Sequence, residues 1–209
     1  MPDRVSIAFA DVAKRYDERV IFRSVSGEGV PGEVLVITGP NGSGKSTLLA
    51  ILMGLLRPTR GTIRYTRDDD EIPREDWRRQ IGVVAPSMAV YEELDAMENL
   101  RFFARVRGVA WDNASLGRCL ELVGLDPRRR TTARGFSTGM LQRLKIAQAM
   151  LHSPPVLVLD EPSSNLDPTG QDWLEGWVAD QAEAGSTVVV ATNDRREMAW
   201  GTARVDLAG

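Results

Sequence analysis

The sequence predicts an α/β fold with a parallel-sheet core, an antiparallel β subdomain and a helical subdomain. Three observations carry that expectation. Glu33-Val34-Leu35-Val36-Ile37-Thr38, Val156-Leu157-Val158-Leu159 and Thr187-Val188-Val189-Val190-Ala191 are short apolar runs bounded by turn residues, and they read as buried strands. The first of them passes through a glycine-rich turn into a helical pattern. Helical spacing then dominates between about residues 87 and 152. With 209 residues, 43% of them hydrophobic, and no internal repeat or low-complexity linker, residues 1–209 read as one domain.

The elements follow in order. From about Val5 to Val30 the chain reads as short strands with turns at Asp17-Glu18 and Pro31-Gly32, which suits an antiparallel subdomain. After the strand ending at Thr38, Leu48, Leu49, Ile51 and Leu52 keep helical spacing until Gly54. Thr59-Arg60-Gly61 turns into the strand Thr62-Ile63-Arg64-Tyr65, and Asp68-Asp69-Asp70-Glu71 reads as a solvated turn, without the glycine of a calcium loop. Ile81-Gly82-Val83-Val84 is a further strand. Helices are expected from about Asp95 to Arg107, stopped by Gly108, and from Asn113 to Val123, stopped by Gly124. Arg128-Arg129-Arg130 reads as a solvated loop. A third helix, from about Gly139 to Leu151, sets Leu141, Leu144, Gln148 and Leu151 on one face. Asp167 and Pro168 suit the N-cap and first position of another helix, and little is expected beyond the strand ending at Ala191.

Composition narrows the setting. A formal charge of −3 offers no bulk attraction to nucleic acid or anionic membrane. The single cysteine, Cys119, leaves no intrachain disulfide framework and suits a reducing compartment. No apolar run approaches the ~18 residues needed to span a bilayer, and Met1-Pro2-Asp3-Arg4-Val5 opens no signal peptide. The expectation is a soluble, cytoplasmic protein.

Gly39-Pro40-Asn41-Gly42-Ser43-Gly44-Lys45-Ser46-Thr47 fits G-x-x-x-x-G-K-[ST] between a strand and a helix, the mark of a P-loop NTPase core. Glycines let backbone N–H groups wrap a phosphate without Cβ interference, and the helix N-terminus adds partial positive charge. Lys45 is placed to reach the β- and γ-phosphates, and the Ser46 hydroxyl to ligate Mg²⁺. An unliganded glycine-rich turn is the weaker reading. The chain has only three lysines against 23 arginines, yet Lys45 stands where the motif requires one.

A second site lies downstream, where the strand after Pro154-Pro155 ends in Asp160-Glu161. A carboxylate at the C-terminal end of a parallel strand faces the crevice where open α/β sheets bind ligands. Asp160 fits the Walker B role of holding Mg²⁺ or its waters, and Glu161 that of a general base on an attacking water. An acidic pair alone would read as a helix cap. Beside a phosphate loop the catalytic reading is preferred.

Phe136-Ser137-Thr138-Gly139-Met140 lies 23 positions upstream of Walker B, counted from Ser137 to Asp160. Ser137 stands just ahead of a helix, where its hydroxyl and the free N–H groups can meet an anion. With these motifs the chain resembles the ATP-binding cassette (ABC) ATPases over nearly its whole length. Ser137-Thr138-Gly139-Met140 is similar to that family's Ser-Gly-Gly-Gln signature, keeping Ser137 and Gly139 but not the other two. Ser164-Asn165-Leu166-Asp167 resembles the family's D-loop, and Tyr16 matches the aromatic that stacks on adenine.

The resemblance implies ATP and Mg²⁺ as cofactors, and a dimer in which the Ser137–Gly139 segment of one subunit closes over the P-loop of the other. It also implies a separate integral membrane transporter subunit, contacted around Pro86 to Asn99, and a place at the inner face of the cell membrane. No nucleic-acid partner is expected. The small size is similar to that of exporter ATPases, including the haem-exporter group.

Two departures stand out. A glutamine usually follows the strand at 81–84; here Ala85-Pro86-Ser87 does, and Gln80 precedes the strand. Asn193 stands where the family has a switch histidine, and the sole histidine, His152, ends the signature helix and reads as structural. Asn193 can donate a neutral hydrogen bond to the γ-phosphate but cannot become cationic, so slower hydrolysis is expected. Three alternatives stay open: a nucleotide-dependent binding module with little turnover, a degenerate half of a heterodimer, and a soluble ABC ATPase outside transport.

Overall fold

The computed structural model describes residues 4–207. β1 (Val5–Tyr16) and β2 (Arg19–Gly29) form a long antiparallel hairpin. β3 (Val34–Thr38) is buried at every residue and feeds α1 (Lys45–Leu52), which ends ahead of Gly54 at φ 70°. β4 (Arg60–Arg67) returns antiparallel to β1, and the two-residue β5 (Asp70–Glu71) pairs with β4. The acidic run expected to be only a solvated turn thus closes a small hairpin. Asp68 and Asp69 take positive φ values of 48° and 71°, which aspartate tolerates better than most residues.

α2 (Trp77–Gln80) leads into β6 (Ile81–Val84). The helices α3 (Ala96–Val106), α4 (Asn113–Leu122) and α5 (Thr138–Ala149) follow. β7 (Val156–Asp160), α6 (Pro168–Glu183), β8 (Thr187–Thr192), α7 (Arg195–Met198) and β9 (Ala203–Asp206) complete the order. β9 corrects the expectation that little follows Ala191: it is an edge strand of the core sheet, with only Val205 of its four residues buried. One buried residue in four gives no apolar run to notice.

The core sheet has the order β6-β7-β8-β3-β9, and every neighbouring pair is parallel. Its strands are apolar at consecutive positions because both faces are covered. Val34, Val36, Leu157, Leu159, Val188 and Val190 face a cluster shared with α3 to α6. Their neighbours Leu35, Ile37, Val156, Val158, Val189 and Ala191 face α1 and the antiparallel sheet, whose order is β2-β1-β4-β5. The Thr187 hydroxyl donates to the Val5 carbonyl at 2.6 Å and ties the two sheets together.

Two expectations about the helical region change. α5 buries more than one face: Gln142, Ile146 and Ala149 are buried with Leu144, Ala147 and Gln148, while Leu141 is only half-buried. The helix is enclosed by β6 as well as by α3 and α4. Arg130 is not merely solvated either. It pairs at 3.3 Å with Asp95, which is buried and caps α3 through a reciprocal box with Glu98. Among the described residues no helix is long and apolar enough to cross a membrane.

Candidate active site

In a parallel sheet the C-terminal ends of the strands open on one edge. β8 lies between β7 and β3, so the loops after these three strands meet there. They carry the phosphate loop after β3, Asp160 and Glu161 at the end of β7, and Asn193 after β8.

The phosphate loop is shaped to receive an anion. Among described helices of eight residues or more, α1 alone has no side-chain N-cap; Asp95, Asp112, Ser137 and Asp167 cap the others. Its first N–H groups therefore lack a side-chain partner, the arrangement that favours anions. Gly44 has φ 99°, and a Cβ there would lie 2.5 Å from Ile21 Cγ2, so only glycine fits. Ser43 Oγ is buried without a hydrogen-bond partner, a polar atom that a phosphate oxygen would satisfy. Lys45, 6% exposed, folds its ammonium onto the loop's own carbonyls, 2.8 Å from Gly39 O and 3.3 Å from Pro40 O. The cationic group is thereby held inside the ring that a phosphate would fill.

Facing this loop is Asp160. Burial pushes its carboxyl above the ordinary aspartate value, and the neighbouring Glu161 adds to that; a hydrogen bond with Ser46 and the charge of Lys45 pull it back. Among the described residues no group of three or more His, Cys, Asp or Glu side chains is placed to hold a metal ion. The donor set at this point, one carboxylate and one hydroxyl, fits a hard cation completed by phosphate oxygens and water.

Glu161 takes φ 47°, unusual for a non-glycine residue, and its N–H donates to Ala191 O at 2.9 Å. Glu161 lines a cleft of about 480 Å³ together with Tyr16, Asn41, Gly42, Gly44, Lys45, Ser46 and Thr47. Gly39 and Pro40 complete the loop behind it through their contacts with Lys45. Tyr16 is 45% exposed, with Lys14 Nζ 4.6 Å above its ring. Asn193 donates to Asn41 Oδ1 at 2.6 Å and so bridges the β8 loop to the phosphate loop.

Ser137 and Gly139 are not brought to this cleft. Ser137 Oγ accepts from Met140 N at 3.2 Å as the cap of α5. Both residues line a separate cleft with Asn165 and Asp167. The segment without the expected glutamine is also anchored: Lys145 donates to Pro86 O at 2.8 Å and approaches Ala85 O at 3.4 Å, leaving Ser87 exposed. His152 sits beside Arg107, 3.0 Å away, and burial with that positive charge lowers it to about 4. Cys119 is a buried thiol, raised to about 11 by burial.

Three polar residues near the site escaped the sequence reading. Gln142 donates to Pro162 O at 2.7 Å, Lys145 holds the loop after β6, and Glu197 accepts from Ser163 N at 2.8 Å. The scarcity of lysine was the one usable signal, and it applies to Lys145 as well as Lys45. Glu197 lies in the charged run Asp194-Arg195-Arg196-Glu197, which reads as a solvated helix start.

A P-loop facing a strand-end carboxylate pair, on a five-stranded parallel sheet with an antiparallel flank, defines a nucleotide-binding domain. The chain belongs to the ABC transporter family, whose sequence profile matches residues 22–164. It is 34% identical to the uncharacterized ABC transporter ATP-binding protein YdbJ of Bacillus subtilis, over 88% of this chain and 60% of that protein. It is 33% identical to the cytochrome c biogenesis ATP-binding export protein CcmA of Vibrio cholerae, over 85% of this chain and 86% of that one. A bacterial ABC transporter cassette solved as a dimer superposes with a TM-score of 0.80 at 27% identity, covering 96% of this chain and 94% of the other. The chain spans 55 to 64% of the length of several curated relatives, YdbJ among them.

Proposed function

We propose that this chain is the ATP-binding and ATP-hydrolysing subunit of an ABC transporter, and that residues 1–209 act as one nucleotide-binding domain with a helical subdomain at about 87–152. The observation that carries the proposal is the uncapped N-terminus of α1, with Lys45 inside its loop and Glu161 on the same cleft. The loop N–H groups and Lys45 bind the phosphates, and Tyr16 offers its ring to the base. Ser46 and Asp160 would hold Mg²⁺, which when bound neutralises phosphate charge. Glu161 takes the proton of the attacking water. Asn193, already against Asn41, donates a neutral hydrogen bond near the terminal phosphate.

The separate cleft holding Ser137 and Gly139 supports a head-to-tail dimer, because these residues do not line the cleft of their own chain's P-loop. An integral membrane subunit, contacted around residues 86–99, would supply the translocation path and hold the chain at the inner face of the cell membrane. Cargo is left open. CcmA and the lantibiotic transport protein SrtF of Streptococcus pyogenes are each 33% identical to this chain.

Asn193 favours one second reading: a site that closes on ATP and turns over slowly, or one that needs a different partner chain. The test is Mg²⁺-dependent hydrolysis against protein concentration, for wild type and Glu161→Gln. A rate that rises faster than linearly and disappears with the substitution supports a hydrolysing homodimer. ATP binding without any Glu161-dependent rate overturns it in favour of the second reading.

A further inference from the structure

Glu197 is 1% exposed, and no function above uses it. Its Oε1 accepts the Ser163 backbone N–H at 2.8 Å, and the Ser163 and Thr192 hydroxyls also bear on the carboxylate. Burial raises its carboxyl above the ordinary glutamate value, and the Ser163 and Thr192 groups around it act in the opposite direction. Burying a carboxylate is costly unless the contacts it makes repay it, and those of Glu197 are all to the residues around the catalytic turn and the end of β8.

That contact is with the turn that presents Glu161. Pro162 and Ser163 follow Glu161 directly and lead to Ser164–Asp167. The turn is gripped on two sides: Gln142 of α5 donates to Pro162 O at 2.7 Å, and Glu197 of α7 accepts from Ser163 N. α7 begins at the loop that carries Asn193, where Asp194 accepts from the N–H groups of Arg196 and Glu197. Glu197 therefore joins the loop bearing Asn193 to the turn bearing Glu161. Arg196, beside it, fastens α7 to Asp172 and Glu175 of α6, so the helix offering the carboxylate is itself fixed.

We infer that Glu197 is a positioning residue for ATP hydrolysis, fixing the Glu161–Ser163 turn to the base of the Asn193 loop. The inference rests on the proposal that Glu161 is the hydrolytic base. Without the clamp the turn keeps only the Gln142 grip and the Glu161–Ala191 hydrogen bond, and Glu161, at φ 47°, is held less tightly in its place on the cleft. Nucleotide affinity is set by α1 and its loop, which Glu197 does not touch, so the defect belongs in turnover.

The test compares wild type, Glu161→Gln, Glu197→Met and Glu197→Gln. Methionine fills nearly the same volume without an acceptor, whereas glutamine keeps an oxygen for Ser163 N–H. Glu197→Met is expected to lower kcat about tenfold or more, with ATP affinity and thermal midpoint near wild type, and Glu197→Gln to restore most of the loss. Hydrogen exchange at the 163–167 amides is expected to quicken in Glu197→Met and not in Glu197→Gln. Should the methionine variant fail to fold, Glu197→Ala takes its place.

Wild-type turnover in Glu197→Met, where Glu161→Gln abolishes it, overturns the positioning role. Undiminished turnover in Glu161→Gln overturns the base assignment instead. If turnover is undetectable in every variant, unchanged exchange at 163–167 still overturns the clamp.

Discussion

Burial lifts the carboxyl of Asp160 above its ordinary value, so the charge that would hold a cation is present against the preference of the unliganded fold. For a carboxyl raised in the folded state, stability is greatest at pH below its unfolded value and declines as pH rises through the folded one. Asp160→Asn is therefore expected to raise the thermal midpoint at neutral pH, to leave it little changed in acid, and to abolish Mg²⁺-dependent hydrolysis. Thermal scans at the two pH values beside an ATPase assay check this. Asn193→His supplies a group able to carry charge; a charged hydrogen bond contributes about 1.5–3 kcal/mol against about 0.5–1.5 for a neutral one. Roughly a tenfold rise in kcat is expected, and an unchanged kcat would show that Asn193 does not limit turnover. The motif residues were legible because phosphate binding demands glycines, a lysine and a hydroxyl at fixed spacing. Glu197 and Gln142 were not, because a buried hydrogen bond to a distant backbone leaves no local pattern.

At the scale of the element, two tests separate the loop from its support. Gly44 sits at φ 99° against Ile21 and Phe22 of β2, so its neighbour in space is the hairpin and not only the nucleotide. Gly44→Ala costs about 1–2 kcal/mol for the backbone conformation alone, and the clash should also displace the loop; loss of nucleotide binding together with a lower thermal midpoint is expected. Asp95→Ala removes the α3 cap and strands Arg130, for about 1–2 kcal/mol measured by urea unfolding, with nucleotide affinity unaffected. The long helices and central strands were visible through periodicity and their glycine stops. α2 and α7 are four residues each, too short for a helical period to register. β9 was hidden because an edge strand needs few apolar residues.

Across the whole molecule, the two clefts decide how the chain works. The phosphate loop, Tyr16 and Glu161 share one, while Ser137, Gly139, Asn165 and Asp167 share another. Motif spacing carries no direction in space, so the sequence could separate the two sets only through the family resemblance, which assigns the Ser137–Gly139 segment to another subunit's P-loop. On the proposed head-to-tail arrangement, their separation within one chain would leave a single subunit an incomplete catalyst. The most direct test mixes two variants, Lys45→Ala and Ser137→Ala, each expected to be inactive alone. If the P-loop of one subunit works with the Ser137 segment of its partner, the mixed dimer holds one intact site, and mixing restores Mg²⁺-dependent ATP hydrolysis. If each chain uses its own Ser137, no combination contains an intact site, and a mixture as inactive as its parts would contradict the account.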